Sequence, residues 1–307
     1  MTQLRAYRIE FILVITLLAA IGFFGYLGYG LIYTTPSFSS EHAFGYVRQQ
    51  IDEGPRVTGS EESLRTSNWL TQELAGPEWK IFIQPFTLPN GISARNIIGV
   101  YYNADPNAPV ALLGAHYDTR LFADADSTEA NRDDPPLGAN SNASSVAVLL
   151  ELARTLELAQ SGHTLCLVFF DADDNEGIQG WEGWWGSRFF AQSAADSIPA
   201  CATPRFIALL DSVGYAGQSL TILGEDAALR SSLMQVASEL EVESKFRNEE
   251  GTWPTPLQTL NVPIVTIAGT TYPYRHTLQD TLDKVSTDNL RAVGKVLESW
   301  LEAGAPF

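Results

Sequence analysis

The chain has 307 residues, 45% of them hydrophobic, and a formal net charge of −17. That length and apolar content allow a substantial core, in one large domain or two small ones. The acidic balance argues against nucleic acid or anionic lipid headgroups as partners, and would suit a cationic ligand such as a free amino terminus or a metal ion.

Residues 11–33, FILVITLLAAIGFFGYLGYGLIY, carry no charge and are long enough to span a bilayer core of roughly 30 Å. Arg5 and Arg8 precede them, and the next basic residue is Arg48. The positive-inside rule therefore puts the N-terminus in the cytoplasm and everything after Pro36 outside. A cleaved signal peptide is the rival reading, but its apolar region should be shorter, and no convincing small-x-small cleavage site precedes Pro36. The expected organisation is a cytoplasmic N-terminus 1–10, a single-pass cell-membrane anchor 11–33, a spacer 34–39 and an extracytoplasmic domain 40–307.

Helices are expected near 40–53 and 60–75, the second capped by Ser60 ahead of Glu61 and Glu62. Strand-like runs follow at 80–88, 96–102 and 108–115. The acidic, Pro-containing loop 117–142 is of a length that is usually functional or disordered. From there strands and helices alternate: helix 143–159, strand 164–170, a Trp/Gly-rich loop, helix 186–195, strand 205–210, a short strand 219–223, helix 226–241, strand 262–268 and helix 286–304. Val146, Leu149, Leu150 and Ala153 give the first of these helices one apolar face, and Leu290, Val293, Leu297, Trp300 and Leu301 give the last its stripe. Continuously apolar strands alternating with helices imply an α/β fold with a mostly parallel sheet covered on both faces. Cys166, inside TLCLVFF, reads as a buried small hydrophobe. A bridge to Cys201 is open to it in an oxidising compartment.

In open α/β sheets ligands bind beyond the carboxyl ends of the strands. Those ends carry His116-Tyr117-Asp118, Asp171-Ala172-Asp173-Asp174, Asp211-Ser212 and, through GTTYPYR, His276 and Asp280. Each feature alone is ordinary, since aspartates cap helices and acid pairs are usually solvated. Their coincidence at four strand ends points to a zinc-type site.

These segments, LLGAHYDTR, PLGANSNASSVAVLLELAR, FFDADDNEGIQGW…GSRFF, ALLDSVG and RHTLQDTLDKVS, resemble in order the motifs of metallopeptidase family 28, which holds zinc aminopeptidases of the leucyl type and the related glutaminyl cyclases. The resemblance spans roughly residues 40–305. It implies a zinc-exopeptidase-like three-layer αβα fold behind the N-terminal transmembrane helix. It also implies that His116 and Asp211 correspond to the ligands of one metal and Asp174 and His276 to those of a second. Asp118 and Asp280 would be partners that fix the imidazoles. Asp173 stands where the family has a glutamate general base acting on metal-bound water.

Ser141 stands where that family has a carboxylate bridging both metals. A serine hydroxyl is a poor zinc ligand, and two bare dications a few ångströms apart repel strongly. The expectation is one zinc ion or weak occupancy rather than two, with Asn140 and Asn142 weak substitutes. Asp173 is one methylene shorter than glutamate. Trp253 and Pro254 stand where relatives carry an Asp-His pair. The WEGWW run divides evenly between a pocket wall and a packing cluster; Trp181, Trp184, Trp253 and Tyr274 are the candidate pocket residues.

Three functions compete. The first is a membrane-anchored zinc exopeptidase removing N-terminal residues from peptides. The second is a glutaminyl-peptide cyclotransferase. The third is a catalytically inactive relative that binds peptides or proteins through the old cleft. The first leads, because four of five metal positions keep ligand-type residues, but whether the chain is an enzyme stays open. A serine hydrolase is far behind, with no G-x-S-x-G elbow in the chain.

Overall fold

A computed structural model describes residues 2–32 and 36–307, with side chains described for 11–26 and 36–307. It divides into two units, Met1–Pro36 and Ser37–Phe307. The first holds helix α1 (Thr2–Ile32), in which Phe11, Ile12, Leu13 and Phe24 are exposed. Among the described residues no helix is long and apolar enough to cross a membrane. The expected span 11–33 and its Arg5–Arg8 flank reach outside the described side chains.

The second unit opens with α2 (Ser40–Glu53) and α3 (Glu61–Glu73). Ser60 caps α3 by accepting from the Ser63 amide, which satisfies one of the amides a helix start leaves open. Then come β1 (Lys80–Thr87), β2 (Ser93–Tyr101), β3 (Val110–His116), α4 (Ser144–Thr155), β4 (Thr164–Phe170), α5 (Trp185–Ser197), β5 (Phe206–Asp211), β6 (Leu220–Gly224), α6 (Ala227–Glu239), β7 (Phe246–Glu250), β8 (Ile264–Ala268) and α7 (Thr287–Glu302).

The eight strands form one sheet in the order β1-β2-β4-β3-β5-β8-β6-β7. The central strands β4, β3, β5 and β8 are parallel, so their carboxyl ends share one edge. The flanks depart from the expected mostly parallel pattern: β2 pairs antiparallel with β1 and with β4, and β6 is antiparallel to β8. The sheet is mixed, with its parallel block where the strand-end residues lie.

Alternate side chains of the central strands enter two cores. Leu113, Leu167 and Ala208 face a layer built by α2, α3, α4, α6 and α7. Leu112, Cys166, Val168 and Ile207 face Phe190 and Ala194 of α5. Burial on both faces is why these strands read as unbroken apolar runs, each fully buried Leu or Phe contributing about 1.5–3 kcal/mol. Cys166 and Cys201 are joined by a disulfide that ties β4 to the turn Pro199–Cys201.

Candidate functional site

β3, β4 and β5 deliver His116, Asp173, Asp174 and Asp211 to the carboxyl edge of the sheet, and the segment after β8 brings Arg275 and His276 over the same edge. The backbone bends sharply there. Ala172, Ser212 and His276 take left-handed conformations at φ of 62°, 57° and 57°. Such conformations cost a non-glycine residue on the order of 1–3 kcal/mol and cluster at functional sites. At Ala172 the bend ends β4 and turns the next two carboxylates toward the cleft.

Asp118 is the organising group. It is fully buried, and its two carboxylate oxygens accept from the amides of Asp173 and Asp174 at 3.1 and 3.0 Å. One of these oxygens also lies 3.5 Å from His116 Nδ1. Asp280 does something other than the expected imidazole support. It accepts from the Asn140 and Ser141 amides at 2.8 and 3.1 Å and from the Tyr272 hydroxyl at 2.7 Å. It therefore fixes the turn that carries Ser141. Arg56, fully buried, holds the same turn from the other side, donating to the carbonyls of Tyr117, Leu137 and Gly138. Burial lowers its pKa to about 10. Arg120 joins loop to loop by donating to the Asp174 and Glu176 carbonyls.

The four expected ligand residues do converge; the protein engages Asp174, Asp211 and His276 at their ligand-type atoms and His116 at Nδ1. His276 Nε2 lies 3.0 Å from Asp174 Oδ1. The other oxygen of Asp174 accepts from Asn142 Nδ2 at 3.0 Å. That same amide nitrogen donates to the Asp118 carbonyl at 2.6 Å and lies 3.1 Å from His116 Nδ1. Asp211 accepts from both terminal nitrogens of Arg275, at 2.9 and 3.1 Å. Ser141 is buried, and its hydroxyl has no hydrogen-bond partner.

The electrostatics follow from this packing. Burial works against charge on Asp174, but His276, His116 and Arg275 outweigh it and hold the carboxyl well below the usual range. Burial likewise opposes charge on Asp211, and Arg275 and His116 again win, lowering its pKa. Of these cations only His116 acts on Asp173, and it does not offset the rest. Burial and the charge of Asp118 push it up to about 7, although it accepts from the Ser187 amide at 3.0 Å. Burial disfavours charge on His116, yet the Asp118 hydrogen bond and the charges of Asp174, Asp118 and Asp211 raise it to about 9.

This donor set does not fit a zinc site. The central position offers a neutral hydroxyl, both oxygens of Asp211 face a guanidinium, and Asp174 has His276 on one oxygen and the Asn142 amide on the other. Among the described residues no group of three or more His, Cys, Asp or Glu side chains is arranged to hold a metal ion. A zinc ion bound to Asp211 would stand beside a fixed positive charge, which dications avoid unless extra anions compensate.

A cleft of about 370 Å³ opens over the site, lined by His116, Asp173, Asp174, Glu176, Trp184 and Trp253 among others. Of the candidate pocket residues, Trp184 and Trp253 therefore face it. Trp181 is instead buried among Phe86, Leu88, Ala94 and Ala172. Tyr274 packs edge-on to Tyr215 and Tyr272, with the Lys284 ammonium over its ring. Both therefore sit in packing clusters, Trp181 among apolar side chains and Tyr274 among tyrosines. The sequence reading missed Arg275, whose signal was a basic residue directly before an expected ligand histidine.

Residues 96–301 match peptidase family M28. Among solved structures, the chain is similar to a leucine aminopeptidase precursor from Bacteroides thetaiotaomicron, with 29% identity and a TM-score of 0.77, over 88% of this chain and 98% of that one. It is similar to the same organism's glutaminyl cyclase bound to N-acetylhistamine, at 29% identity and a TM-score of 0.76 with the same coverage. A Zn-dependent exopeptidase from Parabacteroides distasonis matches at 26% identity and a TM-score of 0.74, over 88% of this chain and 99% of that one. The family match covers well over half of the chain, in the order and region where the strand-end motifs lie: the chain belongs to peptidase family M28.

Proposed function

We propose that this chain is a membrane-anchored, extracytoplasmic member of the family that binds peptides by their free amino terminus without hydrolysing them. The observation that carries this reading is the bidentate hold of Arg275 on Asp211 in a cleft whose central carboxylate position is Ser141. Hydrolysis in this fold needs a bound cation to activate water and polarise the carbonyl, and this cleft has given those places to its own side chains. What remains suits recognition. Glu176 offers an anionic partner for an ammonium group, and Trp184 and Trp253 offer apolar walls. A charge-assisted bond to such a terminus is roughly twice as strong as a neutral one. The uncharged run 11–33 behind Arg5 and Arg8 supports anchoring. The Cys166–Cys201 disulfide supports an oxidising compartment.

A second reading keeps the enzyme. Asp173, raised to about 7, is poised near neutral pH as a general base must be. The likeness to an aminopeptidase and to glutaminyl cyclases supports peptide hydrolysis and N-terminal Gln cyclisation equally. In that reading zinc binds as one ion or with weak occupancy. Calorimetric titration of the full chain with short peptides separates the two. The binding reading expects saturable binding of free-amino peptides, loss of binding on N-acetylation, and no product. Chelator-sensitive turnover of an aminoacyl-nitroanilide or of a Gln-peptide would replace it with the enzymatic one.

A further inference from the structure

We propose that Arg275 is a built-in replacement for a metal ion: a guanidinium that holds the inherited Asp211 carboxylate in place, while His276 and the Asn142 amide occupy Asp174, so that the cleft is structurally complete on its own residues. Asp211 and Asp174 are 3% and 5% exposed. Buried carboxylates at that depth need a cation or several donors to remain in the fold. In a two-metal cleft the ions meet that need. Here each carboxylate has a protein group on both oxygens. Arg275 takes both oxygens of Asp211, and Ser212 Oγ adds a further donor to one of them at 2.7 Å. Asn142 and His276 take one oxygen each of Asp174.

The surrounding backbone is shaped for Asn142 and Arg275. Asn142 is buried, and it reaches His116 and Asp174 from a π-helical turn, Ala139–Ala143, that precedes α4. Single π turns are rare, and they occur mostly at functional sites. Gly138, at φ 63°, starts that turn, and a Cβ there would collide with the Asn142 side chain. The glycine therefore leaves room for the amide. Arg275 directly precedes His276, whose left-handed backbone lets two adjacent side chains both point to the same sheet edge. Arg275 Nε lies 3.4 Å from His276 Nε2, which links the two halves of the substitution.

The inference rests on the reading of the cleft as one that works without metal, but not on peptide binding. The test is thermal unfolding of the full chain in detergent, in EDTA and in millimolar zinc, with zinc content measured by mass spectrometry. The wild-type midpoint should be the same in both conditions and the purified protein should carry no stoichiometric zinc. Arg275→Gln strips the nearly buried Asp211 of its cation and should lower the midpoint by on the order of 10 °C. Zinc should then raise the variant's midpoint by several degrees. If Arg275→Gln does not fold, Arg275→Gln with Asp211→Asn should fold, since the uncompensated charge is gone. Failure of that double variant too, an Arg275→Gln midpoint equal to wild type, or a wild-type midpoint that drops in EDTA, each overturns the inference. Peptides that fail to bind an EDTA-indifferent protein would remove the proposed function and leave this inference standing. An unchanged midpoint in Arg275→Gln together with saturable binding of free-amino peptides would overturn this inference and leave peptide binding standing.

Discussion

Arg275 is the residue whose removal should change what the cleft can bind. Its terminal nitrogens lie 2.9 and 3.1 Å from the Asp211 oxygens. A zinc ion on the nearer oxygen would sit about 2.0 Å from it, and so within about 4.9 Å of a guanidinium nitrogen. At an effective dielectric of 20 a double charge and a single charge at that separation repel by about 7 kcal/mol, roughly five decades in affinity. The guanidinium side chain is 28% exposed, and water will screen part of that. Arg275→Gln should therefore raise zinc affinity by roughly two orders of magnitude or more. Ser141→Asp supplies the missing anion at the centre, and the double variant should bind more tightly than either single one. Competition against a chromogenic zinc chelator measures all four proteins. The reasoning fails if the wild type already competes as well as the double variant, or if removing Arg275 gains nothing.

Two other expectations concern stability. Asp171 is fully buried, and burial with the charge of Asp118 raises its pKa to about 7 from an ordinary value near 3.9. A carboxyl raised by folding stabilises the fold while protonated. That contribution is complete below about pH 4 and is lost as pH climbs through about 7, each tenfold difference in proton affinity between the folded and unfolded chain being worth about 1.4 kcal/mol. The midpoint of Asp171→Asn should accordingly fall less between pH 5 and pH 8 than the wild type's, and parallel curves would refute the assignment. The Cys166–Cys201 bridge closes a separation of 35 residues, for which the loop-entropy relation gives about 4 kcal/mol. Replacing both cysteines by serine should lower the urea midpoint correspondingly, and an unchanged midpoint would mean the bridge constrains nothing.

Much of the fold was legible because the parallel strands and amphipathic helices announce themselves locally. TLCLVFF is apolar throughout because both of its faces are buried, and α7 has its apolar stripe because only one side is. What the sequence reading lost depends on distant partners. β7, FRNEE, buries only Phe246, its other residues being exposed, and so shows no strand periodicity. The antiparallel setting of β2 is decided by β1 and β4, not by its own residues. The same limit governs the site. His116, Asp174, Asp211 and His276 could be named because strand ends concentrate ligands. That Arg275 would seat itself on a carboxylate 64 residues earlier is a tertiary fact. Asn142 was visible as a neighbour of the missing carboxylate, but its amide reaching His116 and Asp174 depends on the π turn and on Gly138. Asp280 was assigned to an imidazole by analogy, and the chain uses it to hold the Ser141 turn.

The most direct measurement is anomalous diffraction at the zinc edge from wild-type crystals grown in millimolar zinc. The account predicts no anomalous peak among His116, Asp174, Asp211 and His276, with the Arg275 guanidinium on both oxygens of Asp211. A strong peak there, with Arg275 swung away from Asp211, would contradict it.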